Sequence, residues 1–114
     1  MHPNLAERFT PIFEAISVIQ NALADKRLED FKDDQFLRLA GERAVGIVSE
    51  TSRLIPEEIK AQRSDIDWPR LAGLGHYLRE HYYEIEPQWV WEVVFLDLPP
   101  LKEFAARIIT QAAR

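Results

Sequence analysis

The 114-residue chain has no cysteine, and that absence excludes disulfide frameworks, thiolate zinc sites, iron–sulfur ligation and cysteine nucleophiles together. It has no uninterrupted apolar run near the roughly 18–20 residues that a membrane-spanning helix needs. Met1-His2-Pro3-Asn4 carries neither the basic nor the apolar region of a secretory signal, so a cytoplasmic chain without membrane association is expected. Basic charge is also short: 14 Lys and Arg stand against 19 Asp and Glu, a net charge of −5. Affinity for a phosphate backbone usually needs a basic face that releases counterions, so RNA contact here requires a local basic pocket or one that a partner completes. Three histidines, His2, His76 and His81, are the carriers for acid–base chemistry near neutral pH. No Gly-rich phosphate loop, Gly-x-Ser-x-Gly elbow, dinucleotide-binding fingerprint, Glu-x-x-His or His-x-x-x-His occurs, so no metal and no other cofactor is expected.

What is present is a folding composition. Apolar residues make up 46% and charged residues 29%, enough for one hydrophobic core and one domain over residues 1–114. Glycine is scarce and the prolines fall mostly where helices begin, which predicts an all-α chain. Leu5, Phe9, Ile12, Ile16, Ile19 and Leu23 recur at spacings of four and three and define one helical stripe, with Asn4 as N-cap and Pro11 as either a start or a bend. Asp25 to Asp34 reads as an acidic connection that Leu28, Phe31 and Phe36 tuck onto the core. A second stripe, Leu37, Ala40, Ala44, Ile47, Val48, Thr51 and Leu54, is closed by Pro56, which opens a short helix fading near Arg63.

A third helix is predicted from Pro69 to about Tyr83, where Gly73 and Gly75 allow close helix approach. The segment Gln88 to Leu96 is apolar almost all round, so one side is expected in the core and the other against a second subunit. Asp97-Leu98-Pro99-Pro100 resets the chain before a last helix, Leu101 to Ala113, burying Leu101, Phe104, Ile108 and Ile109. The architecture predicted is an antiparallel up-and-down bundle of four to five main helices plus a short one.

Chemistry concentrates in Gly75-His76-Tyr77-Leu78-Arg79-Glu80-His81-Tyr82-Tyr83. Metal-free RNA cleavage needs a base for the 2′-hydroxyl proton, an acid for the leaving oxygen and a cation for charge building on phosphorus, and histidine and arginine meet those needs. The plain alternative is that His76 and His81 are surface imidazoles with ordinary hydrogen bonds. Trp68, Trp89 and Trp91 could stack bases, but their helical spacing beside valines reads as core or interface.

The order of several segments resembles the HepT-like family of HEPN-domain proteins. They are Ile12 to Ile16, Arg43 to Thr51, Ile66 to Leu74, Leu78-Arg79-Glu80-His81-Tyr82-Tyr83-Glu84-Ile85, Val90 to Val94 and Asp97-Leu98-Pro99-Pro100-Leu101. The resemblance implies a homodimeric helical toxin subunit of a toxin–antitoxin pair, with a ribonuclease site in a cleft between subunits. It also implies a separately encoded nucleotidyltransferase antitoxin that can attach AMP to the motif tyrosine. The family's Arg-x4-His-x-Tyr motif is degraded here: anchoring on Tyr82 and Ile85 puts Gly75 at the arginine position and Glu80 at the histidine position. A one-residue slide matches His81 and Tyr83 and puts His76 at the arginine position, and Arg70 with His76 offers a looser pairing. The site residues expected are His81 as acid/base, Arg79 as the phosphate-stabilising cation, Tyr82 as the substrate-positioning or AMP-accepting residue, and His76. A catalytically inactive dimeric module that binds a nucleotidyltransferase or a nucleotide stands as the alternative.

Overall fold

The computed structural model describes residues 4–113, so His2 lies outside the described residues. Helix α1 spans Leu5–Leu23 and runs through Pro11 without interruption. Its stripe Leu5, Phe9, Ile12, Ile16, Ile19 and Leu23 is buried as predicted. Asn4 precedes the helix, but its side chain makes no capping bond. Helix α3 (Gln35–Ser52) begins at Asp34, whose carboxylate accepts the Leu37 N–H at 3.1 Å. Helix α5 (Trp68–Glu80) begins in the same way at Asp67, with Pro69 in its first turn. Helix α7 (Leu98–Ala112) closes the chain.

Shorter pieces join these four. Helix α2 (Leu28–Asp33) lies within the segment read as a connection. Helix α4 (Glu57–Lys60) follows Pro56 and relaxes into a 3₁₀ turn ending at Arg63. Helix α6 (Pro87–Glu92) passes into a single wide π turn, Val93–Asp97. Helix α1 packs against both α3 and α7, and α3 against α5. The result is the all-α, antiparallel up-and-down bundle that the sequence predicts. Phe104 lies edge-on to Phe9 at 5.4 Å and to Trp68 at 6.1 Å, while the Trp68 indole N–H donates to the Arg63 carbonyl. Trp68 is therefore a core residue. Among the described residues no helix is long and apolar enough to cross a membrane.

The structure corrects four expectations. Phe31 is fully buried, but Phe36 is 82% exposed, because α3 starts at Gln35 and turns the next residue out. Leu54 is exposed beyond the end of α3, and the buried face of that helix is Gly41, Ala44, Val45, Val48, Ser49 and Ser52. Helix α5 stops at Glu80 rather than Tyr83, and His81, with φ −122° and ψ 25°, has left helical geometry. The chain is not reset at Asp97: the Leu98 N–H bonds to the Val93 carbonyl, and the two prolines occupy the first turn of α7, where a missing donor does no harm.

Candidate functional site

The C-terminal half of α5 and the middle of α3 together border one open groove of about 470 Å³. From α5 come Gly75, Leu78, Arg79 and, just past the helix end, Tyr82. Gly75, Leu78 and Arg79, at i, i+3 and i+4, share a face of the helix, while Tyr82 reaches the groove from the turn beyond it. From α3 come Leu39, Glu42, Arg43, Gly46 and Glu50, again at helical repeats.

Serine chemistry holds the two helices close. The Gly75 N–H donates to Ser49 Oγ at 2.8 Å, and Ser49 Oγ donates to the Ala72 carbonyl at 3.1 Å. A Cβ at Gly75 would lie 2.9 Å from Ser49 Oγ and 3.1 Å from Glu50 Oε1. The position where the family motif expects arginine is therefore filled by the neighbouring helix. Arg79, one turn on, brings its guanidinium into the groove, and its Nη1 donates to Glu50 Oε1 at 2.5 Å.

The two histidines are held elsewhere. His76 Nε2 lies 3.0 Å from Glu80 Oε1, an i,i+4 pair on the exposed side of α5. His81 Nδ1 lies 3.0 Å from Glu84 Oε1. The His81 ring also packs on Tyr77, with centroids 4.5 Å apart, and Tyr77 packs on Trp89 at 4.6 Å. Arg79 and Tyr82 thus share the α3 groove, while His81 faces the α6 side of the same helix end. Arg70 is engaged away from both: its Nε and Nη2 donate to the two carboxylate oxygens of Asp97 at 3.1 and 3.0 Å. That pairing holds the guanidinium above its ordinary pKa, chiefly through the hydrogen bond and against some desolvation.

In the groove wall, burial lifts the Glu42 carboxyl above the usual carboxylate range, and Arg38 opposes the shift. Among the described residues no group of three or more His, Asp or Glu side chains is arranged to hold a metal ion. Three charged groove residues, Glu42, Arg43 and Glu50, are not among the site residues expected from the sequence. The signal was available as the spacing Arg43, Gly46, Glu50, a small residue between two opposite charges on one face of a helix.

The model of the family described as ribonuclease HepT-like matches residues 12–108 of this chain. The chain is 31% identical over 100 residues to the "Gamma-glutamylcyclotransferase and putative RNase" of Methanocaldococcus jannaschii, a match covering 88% of this chain and 45% of that longer protein. It is 32% identical over 91 residues to the "Probable ribonuclease HepT" of Thermococcus cleftensis, covering 80% of this chain and 83% of the relative. The chain thus spans less than half of the first of these relatives. No solved structure matches.

Proposed function

The chain belongs to the ribonuclease HepT-like family, and on that premise we propose that it is a metal-independent endoribonuclease, the toxin subunit of a pair whose antitoxin is a nucleotidyltransferase. The observation that carries this reading is the end of α5. There a guanidinium, a carboxylate-oriented imidazole and a phenol stand within four consecutive positions, 79 to 82, the guanidinium and phenol lining an open groove and the imidazole on the α6 flank. With the His81 Nδ1–H donating to Glu84, the tautomer leaves Nε2 free to take a proton. In the proposed reaction His81 Nε2 removes the 2′-hydroxyl proton of RNA. The 2′-oxygen then attacks phosphorus, and the bond from phosphorus to the 5′-oxygen breaks, leaving a cyclic phosphate. The leaving oxygen takes its proton from a second imidazole, that of His76 or of a twofold partner. Arg79 neutralises charge on the non-bridging oxygens.

Arg79 faces α3 and His81 faces α6, so a common phosphate is reached when a homodimer brings the two flanks together across its axis. Tyr82, at 73% exposure, is open to position substrate or to accept AMP.

The test is cleavage of single-stranded RNA by purified protein in EDTA. His81→Ala should abolish it, while undiminished cleavage would remove His81 from the mechanism. A second reading, a non-catalytic dimeric module that binds the nucleotidyltransferase or a nucleotide, is favoured by the closed position at Gly75 and by Glu80 engaging His76. Parent protein that binds a nucleotidyltransferase yet leaves RNA intact would select it.

A further inference from the structure

The groove between α3 and α5 carries a second guanidinium. Arg43 lies exposed on its α3 wall, and the groove-facing positions Arg43, Gly46 and Glu50 follow one another at i, i+3 and i+7 along that helix. Arg79 enters from the α5 wall, and Leu39, Leu78 and Tyr82 supply the apolar surface between. The two cations are not equivalent. Arg79 is held by Glu50 at 2.5 Å, whereas no ion pair or side-chain hydrogen bond is found for Arg43 among the described residues.

We infer that this groove binds the phosphate backbone of single-stranded RNA through Arg43 and Arg79, and that in the free protein Glu50 occupies the place on Arg79 that an RNA phosphate takes. The choice of RNA as ligand rests on the ribonuclease reading above. A carboxylate and a phosphate both present oxygens to a guanidinium, so Glu50 and the backbone compete for one donor set. The chain's net charge of −5 opposes RNA elsewhere on its surface. In the groove, displacing Glu50 leaves two guanidiniums beside an apolar wall on which a base can rest, with the half-buried Glu42 as the other carboxyl of the lining.

The experiment is binding of a fluorescently labelled single-stranded RNA oligonucleotide, followed by anisotropy in EDTA across a salt series, with cleavage measured separately on the same samples. Arg43→Ala should weaken binding and lower the salt slope by about one, while Arg43→Lys keeps the slope. Glu50→Gln should tighten binding by about two- to fivefold, the worth of an exposed ion pair. Thermal unfolding identifies any variant that fails to fold, and Arg43, being exposed, can lose its side chain without opening the core. Unchanged affinity and slope in Arg43→Ala, weaker binding in folded Glu50→Gln, or no RNA binding by the parent protein would each overturn the inference. RNA that binds with this dependence but is not cut would sink the nuclease reading and leave the groove assignment standing. Cleavage that persists while Arg43→Ala binds normally would do the reverse.

Discussion

Two glycines of α5 separate a packing role from an incidental one. At Gly75 an added methyl meets Ser49 Oγ at 2.9 Å and Glu50 Oε1 at 3.1 Å, whereas nothing lies within 4 Å of a Cβ at Gly73. Gly75→Ala should therefore destabilise the fold by about 1–3 kcal/mol through overpacking. Gly73→Ala should stabilise it by up to about 1 kcal/mol through helix propensity. Urea unfolding midpoints measure both, and equal effects of the two substitutions would contradict the close contact. The sequence marks both glycines as places where helices could approach. It does not say which, because two residues along a helix turn the side-chain direction by about 200° and only packing selects the direction that meets α3.

At the scale of the element, apolar periodicity is the legible signal, and it works best where one face does all the packing. The stripe of α1 is read residue for residue, because large aliphatic and aromatic side chains fill it. Helix α3 is harder, since it lies against α1 on one side and α5 on another. Its buried face includes Gly41, Ser49 and Ser52, which an apolar count passes over, and Leu54 lies beyond its last turn. The π turn Val93–Asp97 is hidden for a related reason: Asp97 lies two residues before a pair of prolines and looks like a break, yet the prolines suit the first turn of α7. Arg70 ties that turn to the start of α5 by two hydrogen bonds to Asp97. A double-mutant cycle on Arg70→Ala and Asp97→Ala should give a coupling of about 0.5–1 kcal/mol, as for partly exposed ion pairs. It should shrink as salt is raised. A coupling near zero at low salt would show that the pair braces nothing.

Across the whole molecule, the difficulty for a sequence reading is that the site joins distant segments. Composition finds Arg79, His81 and Tyr82 in one cluster, but Glu50 lies 29 residues before Arg79 and meets it only through helix packing. The end of α5 at Glu80 then decides which flank His81 takes. The same scale governs assembly. The segment Gln88 to Leu96 divides in the fold: Val90, Val93 and Val94 are inside, while Phe95 and Leu96 are exposed at 38% and 71%. Trp91 packs on Phe95 at 4.6 Å and on Phe31 at 5.7 Å, so it packs within its own protomer as well as near the surface. If the proposed dimer forms through this segment, Leu96→Lys should shift it toward monomer in sedimentation velocity and remove the concentration dependence of the unfolding temperature, while the core of the monomer stays intact because Leu96 is exposed. Trp91→Ala should weaken association and folding together, because its bulk also supports Phe31. Since the proposed nuclease site is completed across the axis, Leu96→Lys should lose RNA cleavage in parallel with dimer. A variant that stays as dimeric as the parent would move the interface off this segment, and a monomer that still cuts RNA would place the whole reaction within one protomer.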